Sequence, residues 1–178
     1  VQRQWCGRLG KLENCQVGVY LAYVSRLDHA LVDTRLYVPG EWTRKKKRMS
    51  TAGVPSGTRF RTRHELALDM LDEHGEALPH AWVSGDDELG RCSWFRGALR
   101  DRGEQYLLAV PSNTSVRDLA AGVPYAGRGR HPKAPFGRAG RWAAGLPTRA
   151  WKAVEGRGAE RGPLVGQVAR TPVPTRAG

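Results

Sequence analysis

The residues best placed to do chemistry lie in the stretch Trp82-Val-Ser-Gly-Asp-Asp-Glu-Leu-Gly90. A short apolar run that opens into Gly85-Asp86 puts a carboxylate at the carboxyl end of a strand, where sites of open α/β sheets collect. A carboxylate there is a hard oxygen ligand suited to Mg²⁺. The same spacing suits Asp86 or Asp87 as the cap of a following helix, and the pattern alone leaves both readings open. Asp33 is the other strand-borne carboxylate, in Ala30 to Val38, where alternation sets it opposite Val32 and within reach of Arg35. His29, His64, His74, His80 and His131 show no metal-ligand spacing. Ser84 lacks the G-x-S-x-G context of a nucleophile. Gly7-Arg-Leu-Gly-Lys11 falls short of a phosphate loop, since no strand precedes it and the full pattern is missing.

A second chemistry is carried by charge. The chain holds 29 Lys and Arg against 17 Asp and Glu, a formal +12, which points to a polyanionic partner. Only six of the 29 are Lys; an Arg-heavy, Gly- and Ala-rich chain is also what a GC-rich genome produces. The basic run from Arg44 to Arg48, with Lys45, Lys46 and Lys47 at its centre, sits beside Trp42. It reads either as a solvated surface or as a phosphate contact. Arg128, Arg130, Lys133, Arg138 and Arg141 form a second basic stretch with the same two readings. No apolar run approaches the roughly 20 residues that a membrane-spanning helix needs, and Val1-Gln-Arg-Gln-Trp5 offers no signal-peptide core. Cys6, Cys15 and Cys92 have neither disulfide-framework nor zinc spacing, so reduced thiols in a cytoplasmic setting are expected.

The elements that must position these residues follow from periodicity. Cys15 to Ser25 is apolar on both faces and predicts a buried central strand. A polar turn at Arg26 to His29 and a strand over Ala30 to Val38 predict an antiparallel pair. Residues 1–14 and 41–58 read as polar, Gly- or Pro-broken segments. Thr62 to His74 predicts a helix with Leu66, Met70 and Leu71 inward, a Thr62/Glu65 capping box and Gly75 as its stop. A strand at Ala81 to Ser84, a helix from Leu89 to Arg102 with Trp94, Phe95, Ala98 and Leu99 inward, and a strand from Gln105 to Val110 complete a mixed α/β order. The helical crossover favours parallel pairing of the last two strands. From Ala126 onward there are eleven Lys and Arg against two acids, with dense Gly and Pro, which predicts a basic, poorly ordered region. Trp142 and Trp151 argue that part of it packs, and Leu164 to Val168 suits a short strand.

Taken together, the segments VQRQWCGRLGKLENCQVGVYLAYVS, HALVDTRLYVPGEWT, AGVPSGTRFRTRHELALDML, WVSGDDELGRCSWFRGALRDRGEQYLLAVPSNT and GRGAERGPL resemble bacterial insertion-sequence transposases of the DDE superfamily endonuclease type. The resemblance runs over nearly the whole chain. It implies an RNase H-like α/β fold, a mixed sheet flanked by helices, over residues 1–120. Residues 121–178 would then be a basic Gly/Pro-rich inserted or tail segment. It implies DNA as partner, at insertion-element ends, with self-association as an option, and neither a membrane nor a small-molecule substrate. Such enzymes hold two divalent metals, Mg²⁺ or Mn²⁺, with Asp, Asp and Glu for in-line phosphoryl transfer. On the quoted motifs Asp86 is the second Asp and Asp87 its neighbour. The family's first Asp belongs to a central strand upstream of Val-Gln-Arg-Gln, and its Glu to a helix past the inserted segment. The 178 residues are therefore expected to supply one carboxylate of three, to fold marginally and to cut no DNA unaided. The basic run at Arg44 to Arg48 departs from the family, which mixes acids into that loop. The competing expectation is a basic protein that binds DNA without cutting it. A ribosomal-type protein fits less well, because it would carry more Lys and fewer apolar strands.

Overall fold

The computed structural model describes residues 1–118, 121–159 and 162–169. In chain order the elements are β1 (Gln2–Cys6), β2 (Lys11–Cys15), β3 (Val17–Val24), β4 (His29–Tyr37), α1 (Gly40–Thr43), α2 (Lys46–Thr51), α3 (Arg63–His74), β5 (Val83–Gly85), α4 (Asp87–Gly90), α5 (Ser93–Asp101), β6 (Tyr106–Leu108), β7 (Ser115–Val116), β8 (Gly137–Arg138), α6 (Ala139–Ala144), β9 (Trp151–Ala159) and β10 (Gly162–Ala169). The fold is mixed α/β. Among the described residues the strands pair two by two into five small sheets: β1–β2, β3–β4, β5–β6, β7–β8 and β9–β10. Only β5–β6 is parallel. The chain divides into two compact units, Val1–Gly85 with Cys92–Leu108, and Asp86–Arg91 with Ala109–Gly178.

In the first unit, β3 and β4 form the expected antiparallel pair. Their turn is closed by Ser25, whose Oγ accepts the amides of Leu27 and Asp28 at 3.1 and 3.0 Å. β3 is not the buried strand its composition suggested. Tyr20, Ala22 and Val24 are exposed while Val19, Leu21 and Tyr23 are half-buried, so only one face of the strand is covered, and among the described residues β4 is its one hydrogen-bonded neighbour. A bulge between Leu21 and Ala22 leaves Val32 without a partner in β4. That extra residue breaks the alternation, so Val32 and Asp33 are both half-buried rather than on opposite faces. From there Asp33, Arg35 and Tyr37 share the half-buried face.

Helix α3 begins as expected. The Thr62 side chain accepts the Glu65 amide at 3.1 Å, and the Glu65 carboxylate accepts the Thr62 amide at 2.7 Å. Its buried residues are Leu68, Met70 and Leu71, so Leu68 takes the place expected of Leu66. Gly75 ends the α-helix with an ordinary right-handed conformation and continues into one 3-10 turn, Gly75–Ala77. The single helix expected over Leu89 to Arg102 is two, because the chain turns at Arg91 and Cys92 before α5 starts. Phe95 and Leu99, one turn apart on α5, are buried, whereas Trp94 faces solvent. Gly103, at φ 76°, closes α5, with Glu104 donating to Leu99 O and Gly103 to Arg100 O at 3.0 and 2.9 Å. This is the left-handed stop that only glycine adopts without strain. α3 and α5 meet through an edge-on His64–Phe95 contact and a two-pronged Arg102–Asp72 pair at 2.6 and 2.7 Å. They carry most of a small apolar core.

Two segments read as irregular are structured. Residues 1–14 hold the β1–β2 hairpin, and residues 41–58 hold α1 and α2. The second unit has more regular structure than its composition suggested. β7 pairs with β8, α6 follows directly, and Trp142 is tied down through its indole N–H to the Asp118 carboxylate at 3.1 Å. The expected strand at Leu164 to Val168 lies within β10. Cys6, Cys15 and Cys92 are free thiols.

Candidate functional site

Asp86 stands directly after β5, whose register with β6 runs Val83↔Tyr106, Ser84↔Leu107 and Gly85↔Leu108. The expected placement, a carboxylate at the carboxyl end of a parallel strand, is met. The helix-capping alternative is met as well. Oδ1 of Asp86 accepts the amides of Glu88 and Leu89 at 3.1 and 3.2 Å, and the residue keeps an extended backbone as the N-cap of α4. Both bonds fall on one oxygen, and among the described residues Oδ2 accepts none. Asp87 is drawn away into an ion pair with Arg91 one turn on.

Asp33, the strand-borne carboxylate singled out in the sequence, is fully engaged. Its Oδ1 accepts the Thr34 amide at 2.6 Å, and its Oδ2 is shared by Arg35 and His74, each at 3.1 Å. Arg35 also pairs with Glu73. Partial burial alone would push the Asp33 carboxyl up, but the Thr34 amide, His74 and Arg35 outweigh it and hold it below the usual range. Sequence pairing with Arg35 was legible at two residues' distance. His74 was not, because the bulge and the docking of α3 bring it to the strand. With both oxygens occupied, Asp33 fastens α3 to β4 and is not an open ligand.

Among the described residues no group of three or more His, Cys, Asp or Glu side chains could hold a metal ion. A two-metal phosphoryl-transfer centre needs several oxygen ligands converging on each ion. The described residues do not provide that set around Asp86.

The basic candidates are exposed. Lys45 precedes α2, and Lys46 and Lys47 form its first turn without an acid beside them. Cations there oppose the helix dipole, and none of the three makes an ion pair among the described residues. Arg48 lies over the Trp42 ring at 4.1 Å, so part of the run is organised by an aromatic ring. In the second unit, Arg128 and Arg130 alternate with Gly127 and Gly129, at φ 79° and 80°. Tyr125 pins that loop by donating to Gly129 O at 2.9 Å and stacking on His131. Lys133 and Arg141 are exposed. Arg138 spends one guanidinium nitrogen on Asn113 O at 2.6 Å.

With this geometry in place, comparison with known proteins defines the class. The family model described as DDE superfamily endonuclease matches residues 1–163. The chain belongs to that family. No curated protein and no solved structure matches it. Members of the family generally act on DNA with divalent metal ions. No helix among the described residues is long and apolar enough to cross a membrane.

Proposed function

We propose that the chain is the DNA-processing part of an insertion-sequence transposase, with Asp86 as the second carboxylate of its Asp-Asp-Glu triad. The observation that carries this reading is the placement of Asp86. It lies at the carboxyl end of a parallel strand, inside the stretch matched by the endonuclease family, with one carboxylate oxygen uncommitted. Residues 1–120 are then an RNase H-like nuclease core and residues 121–178 a basic segment set into it. Mg²⁺ or Mn²⁺ is the metal that a complete triad would hold; the described residues fall short of that triad.

The arrangement of the first unit supports the RNase H-like part. Among the described residues β3 and β5 each have one paired edge and one open edge. Between them runs an apolar slot of about 720 Å³, walled by Leu21 to Arg26 on one side and Leu78 to Ser84 on the other, with Leu71 in its floor. The resemblance assigns the first catalytic Asp to a central strand, and a strand between these edges would join the β3–β4 and β5–β6 pairs into one mixed sheet. Lys45, Lys46, Lys47, Arg128, Arg130, Lys133, Arg138 and Arg141 are the residues proposed to meet phosphate.

Retention of a labelled duplex by the chain across a range of salt tests the DNA assignment. Affinity should fall linearly on a log–log plot, with a slope near −0.9 per phosphate contacted. Changing Lys45, Lys46 and Lys47 together to Gln should flatten that slope. Binding that ignores salt would remove the DNA assignment.

A further inference from the structure

The β1–β2 hairpin has two unlike faces. Its register pairs Gln2 with Cys15, Gln4 with Glu13 and Cys6 with Lys11 on one face, and Arg3 with Asn14 and Trp5 with Leu12 on the other. The first face is turned to the body of its unit. Gln2, Gln4 and Cys15 line a cavity of about 590 Å³ with Tyr37 and Trp42, and Gln2 donates to Glu41 at 3.3 Å. The second face is open: Trp5 is 56% exposed and Leu12 57%. Arg3 and Asn14 beside them are exposed as well. The turn adds an exposed Arg8 and is fixed by Leu9 and Gly10 donating to Cys6 O at 3.1 and 2.9 Å. Gly10, at φ 62°, supplies the left-handed residue that this turn needs.

An exposed indole on a two-stranded ribbon, with no carboxylate on its face and an arginine two residues along the same strand, about 6.6 Å on along the backbone, is a stacking surface flanked by positive charge. A base offers a π-face to the indole whatever its identity, and its phosphates answer the arginines. The net charge of +12 favours such a strand over an acid-poor protein surface. We propose that the outer face of this hairpin binds an unpaired stretch of DNA, with Trp5 stacked on a base, Arg3 and Arg8 on the flanking phosphates and Asn14 at the base edge. The proposal rests on the DNA reading above and adds to it a class of substrate, the single strand, and the residues that hold it.

The test uses the 178-residue chain without metal, a fluorescein-labelled twelve-nucleotide oligothymidine and a duplex of equal length, read by anisotropy. Trp5→Ala should weaken oligothymidine binding about tenfold or more, as loss of one stacked base does, and leave duplex binding within about twofold. Trp5→Phe should keep most of the affinity. Arg3→Gln should lower the salt slope for the single strand by about 0.7. Circular dichroism checks that each variant is folded, and Leu12→Glu, which sets a carboxylate on the same face, should also weaken oligothymidine binding. Oligothymidine binding within twofold of wild type in both Trp5→Ala and Leu12→Glu overturns the proposal while leaving duplex binding, and so the DNA reading, in place. Wild-type protein that binds neither DNA overturns both. A loss of self-association in Trp5→Ala, seen by sedimentation with unchanged oligothymidine affinity, would assign the face to contact between copies and overturn the proposal too.

Discussion

Asp86 carries two roles that one substitution can separate. As an N-cap it needs only a side-chain oxygen, and Asn serves as well as Asp. As a metal-holding carboxylate it needs its charge. Asp86→Ala should therefore cost about 1 kcal/mol of stability, whereas Asp86→Asn should melt within a degree or so of wild type. Equal destabilisation by both would mean that the charge, not the cap, holds the turn. The position was legible in the sequence because a strand ending in Gly-Asp is a local pattern. The cap and the ligand readings were not separable there, since both call for a carboxylate at the same position. Asp33 shows the opposite case: the sequence shows the carboxylate and its Arg35 partner, but the bulge that turns it toward His74 is a property of two strands together.

Among the elements, those with strong periodicity were legible: the β3–β4 pair, α3 with its capping box, α5 and the parallel β5–β6 pairing. The β1–β2 hairpin was not, because Gln-Arg-Gln and Lys-Leu-Glu-Asn give no apolar alternation and the strands are held by backbone pairing and a glycine turn. α1 and α2 were hidden by a basic run that opposes helix formation at that end. Thr62→Ala should cost α3 about 1 kcal/mol, measurable by urea titration with an unchanged m-value. The ion pairs set a stability window in pH. The Thr62 amide holds Glu65 below its ordinary 4.5, and Arg102 holds Asp72 below its ordinary 3.8. Their contributions are complete above those ordinary values and disappear as pH falls through the lower folded ones. His80 is raised above its ordinary 6.5 by the Leu78 carbonyl and then by Glu104, 3.0 Å away. Its contribution is complete below 6.5 and is lost as pH rises through the folded value. Thermal midpoints should thus be highest between about pH 4.5 and 6.5. His80→Gln should remove the decline on the alkaline side, and Asp72→Asn should lessen the one on the acid side. A profile unaffected by either change would contradict this assignment.

At the scale of the whole molecule, the main feature is how much apolar surface lies open beside a small core. Val24, Trp82 and Leu107 are 70%, 60% and 72% exposed, and all three line the slot between β3 and β5. Open strand edges next to apolar walls favour association. The chain should therefore bind a hydrophobic dye such as ANS in its folded state. Val24→Lys with Leu107→Lys should reduce that binding without lowering the thermal midpoint; a midpoint that falls with it would show that these residues belong to the core. Among the described residues no cluster of His, Cys, Asp or Glu side chains joins Asp86 in a metal-holding set. The most direct test is nicking of labelled DNA by the purified chain in Mg²⁺ or Mn²⁺, beside Asp86→Asn. DNA should be bound in a salt-sensitive way and left uncut by both proteins. Metal-dependent nicking by the chain that disappears in Asp86→Asn would contradict it, because other carboxylates would then have to complete the centre around Asp86.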